Sequence, residues 1–316
     1  MPFLRQQAAI DIAGWTPDVD FEVFPQGTRP KGAFHAPALA DHPCLISGRR
    51  YLFKESDRKY PDQFWTEVVA YRVGCLLGID VPPSFAAYNS ASGNTCGSLT
   101  QWFYVDGVER FVWAGELLQN IRPGFDRKLG TDHNLKDIRS LVLSLRINGV
   151  LAPGEDWRLW WATALLFDAL IGNTDRHQDN WGLLYRQRAG GGLDEAVLAP
   201  YFDNGTSLGH ELWPDLVADW SDQRVAQYTN RGKPHVRLEH GAPREQHEVL
   251  LQKVMKRWPH VRSSLSERLA QCSEAALRGV LEDLLTLDMP LMLSRSRFDL
   301  MLRLLCARLE RLQGLF

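Results

Sequence analysis

From Asp62 to Leu77 the chain reads DQFWTEVVAYRVGCLL, with apolar residues at 64, 65, 68, 69, 73, 76 and 77; that spacing predicts one amphipathic helix, stopped by Gly78. The runs around it have another rhythm. FEVFP, CLISGRRYLFKES, PSFAAYN and GSLTQWFYV are short, rich in β-forming residues and bounded by Gly, Pro, Asn or Ser, so residues 16 to 115 predict strands. Beyond about residue 130 the period turns helical in KDIRSLVLSLRI, EDWRLWWATALLFDALI, REQHEVLLQKVMKRW and RSRFDLMLRLLCARLERL. Two runs, WGLLYRQ and EAVLAPYFD, interrupt that half as strands, with AGGG at 189 to 192 as their hairpin turn. The pattern predicts an α+β, two-lobed chain: a small β-rich lobe with one helix over residues 1–104, then a larger, mainly helical lobe over 105–316.

Composition narrows the function classes. At 316 residues and 45% hydrophobic, the chain can bury a large core. Lysine plus arginine (36) nearly cancels aspartate plus glutamate (38), so no overall field recruits nucleic acid or an anionic membrane, and no direct nucleic-acid binding is expected. No secretory h-region and no stretch of about 18 apolar residues is present, so the expectation is a cytoplasmic protein without stable membrane insertion. Five scattered cysteines with no CxxC pair read as reduced packing residues, not a disulfide framework or a zinc site.

The polar stretch GNTDRHQDN, residues 172 to 180, lies between the apolar run ending in DALI and the strand WGLLYR. A turn uses Asn, Asp and Thr for local backbone bonds, but needs fewer charges than these nine residues carry. Asp175 is followed five residues on by Asn180, and a strand, turn and strand later by Asp203 in FDNG. A carboxamide and a carboxylate on neighbouring strands suit Mg²⁺, a hard cation that binds oxygen and accompanies phosphates. Asn180 and Asp203 are therefore the candidate metal ligands, and Asp175 the candidate catalytic base for an attacking hydroxyl, at the D-x-x-x-x-N spacing of kinases. His177 either holds the loop by hydrogen bonding or faces the nucleotide, with the former favoured; Gln178 and Asp179 have no role that the sequence explains.

Phosphoryl transfer also needs a cation for the phosphates. Lys54 in the strand YLFKES and Glu67 in the helix fit a lysine fixed by a carboxylate. PQGTRPKGAFH, 25 to 35, is either a phosphate-covering loop, with Lys31 its foremost contact, or a plain surface turn; it matches neither GxxxxGK[ST] nor GxGxxG. Gln101, Trp102 and Phe103 follow the strand GSLTQ as candidates to contact adenine, with core packing the alternative for the two aromatic residues. The basic segment TNRGKPHVRLEH, 229 to 240, is a candidate for acceptor recognition or else a solvated loop.

LIGNTDRHQDNWGLL, APYFDNGTSLG and WTEVVAYRVGCLLGIDVPP, with YLFKES before it, together resemble the HipA-type serine/threonine kinases; DRHQDN also resembles the D-R-H-x-x-N loop of phosphatidylinositol kinases. The resemblance spans roughly residues 25 to 210. It implies a bilobal protein-kinase-like fold, ATP and Mg²⁺ as cofactors, and a protein substrate phosphorylated on serine or threonine. It implies Asp175 as base, Asn180 and Asp203 as magnesium ligands, Lys54 as the phosphate lysine and Glu67 as its partner. A toxin or effector role, with an antitoxin partner, is weakened because the chain starts close to the nucleotide lobe, without the extra N-terminal subdomain of HipA toxins. Thr28 in place of a serine puts self-phosphorylation of the loop in doubt. The alternatives are a lipid or small-molecule kinase, a metallophosphoesterase, or a non-catalytic ATP-binding pseudokinase.

Overall fold

The computed structural model describes residues 3–19, 29–187 and 194–316. The predicted strand FEVFP, the residues 25 to 28 of the phosphate-loop candidate, and the AGGG turn lie outside them. The N-terminal part holds β1 (Ile10–Asp11), β2 (Thr16–Pro17), β3 (Lys31–His35), β4 (Arg50–Glu55), α1 (Phe64–Leu76), β5 (Ser84–Asn89) and β6 (Thr95–Gln101). Its strands form one sheet in the order β1-β5-β6-β4-β3-β2, antiparallel except for the β1–β5 pair. Because strand side chains alternate, Tyr51 and Phe53 of β4 enter the core while Leu52 and Lys54 face the opposite side, toward a cleft. The register sets Lys31 of β3 opposite Lys54.

Strand β4 begins at Arg50 and not at Cys44, since Gly48, at φ +67°, turns the chain just before it. Likewise β6 ends at Gln101, and Trp102 leaves the strand with its N–H donating to the Arg50 carbonyl at 3.0 Å. Helix α1 departs from the predicted one-sided stripe. Every residue from Phe64 to Gly74 is buried, because the helix packs on β5 and β6 and is covered by helices of the C-terminal half. Gly78, at φ +64°, follows its end as the sequence suggests.

The second half holds β7 (Glu109–Trp113), α2 (Ala114–Ile121), α3 (Leu135–Ile147), α4 (Trp157–Ile171), β8 (Gly182–Arg186), β9 (Glu195–Leu198), α5 (Asp222–Thr229), α6 (His247–Arg257), α7 (Val261–Leu269), α8 (Glu274–Leu281) and α9 (Arg295–Gln313). A small sheet, β7-β8-β9, carries the only strands described there. Helix α4 is apolar nearly all round and runs through the core against α6, α7 and α9. Asp156 caps its start by accepting from the N–H groups of Arg158 and Leu159, and Gly172, at φ +70°, closes its end. The chain thus passes from α4 directly into GNTDRHQDN and then into β8. Strand β9 stops at Leu198, short of the predicted Asp203: Pro200 lacks a ladder donor, and the Tyr201 N–H bonds the Asp80 carbonyl at 2.8 Å instead. That departure carries Asp203 into the cleft. Among the described residues no helix is long and apolar enough to cross a membrane, and all five cysteines are free.

Candidate active site

A cleft of about 370 Å³ lies between the N-terminal sheet and the loops that follow α4 and β9. The candidate residues from the sequence line it together: Lys31, Lys54, Glu67, Gln101, Trp102, Phe103, Asp175, His177, Asn180 and Asp203. On one wall the Lys54 ammonium lies 2.9 Å from Glu67 Oε1 and 2.5 Å from Asp203 Oδ1. Arg29 adds a second cation, 3.4 Å from Glu67 and 3.8 Å from Asp203. Burial opposes the charge of Lys54, but Asp203 and Glu67 outweigh it and hold the ammonium above its usual range. Burial also opposes ionisation of Asp203, yet Lys54 and Arg29 keep its carboxyl far below the ordinary carboxylate range. Lys31, beside them, is shifted down by burial and by Lys54.

The polar residues of α1 and of its N-cap, Gln63, explain how these walls stay together. Glu67 Oε2 accepts the Asn204 N–H at 2.9 Å, while Gln63 Nε2 and Thr66 Oγ1 donate to the Gly205 carbonyl at 3.2 and 3.0 Å. The helix therefore grips the segment that bears Asp203, and Asp203 itself takes φ +56°, a left-handed conformation that Asp tolerates better than most residues.

The opposite wall is the loop after α4. Asn173 Oδ1 accepts the Asp175 N–H at 3.0 Å, and Asn180 Nδ2 donates to the Asp175 carbonyl at 2.6 Å. The Asp175 carboxyl faces the cleft with Thr206 Oγ1 3.5 Å away. Burial pushes its pKa above the usual value, His177 draws it down and Asp203 pushes it up. His177 Nδ1 accepts the Asp179 N–H at 3.1 Å, so the ring shapes the loop while also lining the cleft.

Several residues of the site were not singled out from the sequence. Arg176 is 2% exposed and donates from Nε and Nη2 to the two oxygens of Asp168 at 2.7 Å each, from Nη2 to Asn204 Oδ1 at 2.8 Å and from Nη1 to the Phe202 carbonyl at 3.1 Å. One guanidinium thus ties α4, the catalytic-loop candidate and the Asp203 segment together. Gln178 and Asp179 anchor the loop's far end: Asp179 accepts from Arg127 Nε at 3.0 Å, Gln178 Nε2 donates to the Arg127 carbonyl, and the Gln178 carbonyl accepts the Gly115 N–H at 2.8 Å. Gly130, at φ +58°, makes room for this contact, since a Cβ there would fall 1.9 Å from Gln178 Oε1. Gly130→Ala is expected to cost about 1–3 kcal/mol in chemical denaturation, from left-handed strain and displacement of Gln178. A cost below a few tenths of a kcal/mol would mean that the loop is not anchored there.

At the other end of the cleft Phe103 stacks on Phe202, with centroids 5.0 Å apart and planes at 18°, and meets Phe111 edge-on. Trp102 also lines the cleft, but is mostly buried beneath Arg50, with its N–H on the Arg50 carbonyl and its own carbonyl accepting from Arg49 at 2.8 Å. Phe103 and Gln101, both half-buried, are the more open of the three on the cleft surface.

No protein-family model and no curated protein matches the chain. Among solved structures, the Helicobacter pylori proinflammatory kinase CtkA superposes with a TM-score of 0.65 over 97% of this chain and 96% of its own, at 14% identity. The chain has a protein-kinase-like fold. HipA of Shewanella oneidensis MR-1, solved with HipB and operator DNA, is 16% identical over 94% of this chain and 68% of its own, with a TM-score of 0.33. The golgi casein kinase is 12% identical over 98% of this chain and 74% of its own, with a TM-score of 0.36. In this kinase-like fold the cleft separates the β-rich part from the helical part, with the basic residues of one wall facing the carboxylates and carboxamide of the other.

Proposed function

We propose that the chain is an ATP- and Mg²⁺-dependent phosphotransferase of HipA-like type that phosphorylates a serine or threonine hydroxyl on a protein. The observation that carries this reading is the meeting, in one cleft, of the Lys54–Glu67 pair with Asp203, and of Asp175 with Asn180, from segments more than a hundred residues apart. The donor set suits magnesium. Asn180 has its amide nitrogen engaged with the Asp175 carbonyl, which leaves the carboxamide oxygen for a ligand, and Asp203 meets Lys54 through one oxygen, leaving the other. When bound there, the metal would neutralise phosphate charge and orient the transferred group.

The chain's own residues supply the rest. Lys54 and Arg29 would attract the phosphates, and Glu67 keeps Lys54 pointed into the cleft. Asp175 accepts the acceptor's hydroxyl proton as its oxygen bonds to the γ-phosphorus and the bond to the bridging oxygen breaks, ADP leaving with that electron pair. Phe103 and Gln101 border the space for the base.

The test is transfer of label from γ-³²P-ATP with Mg²⁺ to protein, with Asp203→Asn as control; absence of transfer from the wild-type chain to itself or to any lysate protein overturns the reading. A pH profile adds a signed expectation. Because burial raises the Asp175 pKa, its proton returns at a higher pH than for a free aspartate, so the acid limb of the rate should fall above the ordinary carboxylate range near pH 4. A rate that stays level down to about pH 4 removes Asp175 as the base.

A further inference from the structure

Beside the catalytic-loop candidate lies an open groove of about 600 Å³, lined by Thr174, Arg231, Lys233, Arg237, Pro243 and Arg244. Thr174 immediately precedes Asp175, so the groove opens next to the carboxylate assigned as base. Four of its six lining residues are cations, and among the described residues none of the four forms an ion pair with a carboxylate. Charge is concentrated here against the background of a nearly neutral chain, net −2 overall. The wall is also built. Arg244 donates to the carbonyls of Lys233 at 2.8 Å, Pro234 at 3.0 Å and Thr174 at 3.3 Å, and Arg237 donates to the Ala242 carbonyl at 2.8 Å. The segment 231–244 is thereby folded back on itself and fastened to the loop that bears Asp175.

Resting on the phosphotransferase reading, we propose that this groove receives acidic side chains flanking the acceptor hydroxyl, which makes the substrate class an acidic peptide segment. The geometry favours carboxylates spread along a peptide over a single phosphate group. Arg244 and Arg237 have donors engaged by backbone carbonyls, so they present charge more than a free two-pronged fork, while Arg231 and Lys233 are exposed. A membrane surface fits less well: none of the exposed large apolar side chains among the described residues lines the groove. Across such a groove the interaction is screened by salt and set by the number of charges.

Two measurements separate this proposal from the phosphotransferase reading. Binding is read by fluorescence anisotropy with a labelled serine peptide flanked by Asp and Glu, the same peptide with Asn and Gln, and, separately, vesicles of phosphatidylcholine with phosphatidylserine or phosphoinositide. Transfer to the two peptides is read with γ-³²P-ATP. The acidic peptide should bind at least tenfold tighter than its amide counterpart at low salt. The double variant Arg231→Ala, Lys233→Ala should erase most of that ratio, and Lys233→Arg should keep it. Equal binding of the two peptides, a ratio unmoved by the double variant, or tight binding to vesicles with none to the acidic peptide overturns the groove proposal whether or not transfer occurs. Transfer to neither peptide, nor to any lysate protein, with the binding ratio intact overturns the phosphotransferase reading and leaves an acidic-peptide binding surface.

Discussion

Asp175→Asn is expected to lower phosphoryl transfer by about 10²–10⁴-fold, or roughly 3–5 kcal/mol of transition-state stabilisation, with little change in nucleotide affinity. The carboxylate is the one group of the loop that faces the cleft without a short hydrogen bond, its nearest side-chain donor being Thr206 at 3.5 Å. The amide replacement keeps its shape and the Asn173 and Asn180 bonds, both of which use the backbone of residue 175. Stability should move the other way. A carboxyl whose folded pKa is raised by burial favours the folded state when protonated, and that contribution is lost as pH rises through the folded value. At neutral pH the ionised group therefore costs stability, and Asp175→Asn should unfold at the same denaturant concentration as wild type or a higher one. Loss of transfer together with a lower midpoint would point to a structural role; unchanged transfer would remove the residue from the chemistry altogether.

The parts of this site that were legible in the sequence share a property: each is local or obeys a simple period. Asp175 and Asn180 lie in one loop between two buried elements, so their spacing and setting are visible without tertiary information. Lys54 and Glu67 were placed by a strand and the helix that follows it, and the structure brings them to 2.9 Å. What was hidden depends on contacts across the chain. Arg29 sits in a tract with no periodicity, and only its distances to Glu67 and Asp203 mark it out. Asp168 is a single polar residue within the apolar run LWWATALLFDALI, and Arg176 one charge in the polar loop GNTDRHQDN; neither pattern shows that they face each other in the core. Burial of α1 on all sides was likewise invisible, because part of its cover comes from α8, about two hundred residues later. Charged residues in a predicted helix with apolar neighbours on every side, as at Glu67 and Arg72, are the signal that could have revealed it.

Arg176→Met should be the most destabilising substitution in the site, at about 3–5 kcal/mol, because it strands a buried carboxylate without its partner. Arg176 and Asp168 are each 2% exposed, and with Arg176 gone only Asn173 Nδ2, at 3.2 Å, still donates to Asp168. Burial already raises the Asp168 carboxyl although the guanidinium opposes that shift, so loss of Arg176 should raise it further. A raised folded pKa gives stability that is present at low pH and lost as pH rises, hence the variant should be less destabilised near pH 5 than near pH 8 when unfolding midpoints are compared. Adding Asp168→Asn should recover a large part of the loss, since the remaining pair is then neutral; the coupling in that double-mutant cycle isolates the ion pair from the packing of the longer side chain. Recovery should not restore transfer. Arg176 also holds Asn204 and the Phe202 carbonyl, the two residues flanking Asp203, and a neutral pair leaves that segment without this tether to the loop, though still held by α1. Stability regained while activity stays low is thus the expected split. A single-variant loss under about 1 kcal/mol, or one that does not vary with pH, would show that Asp168 is not a stranded charge and that the loop and the Asp203 segment are held by other contacts.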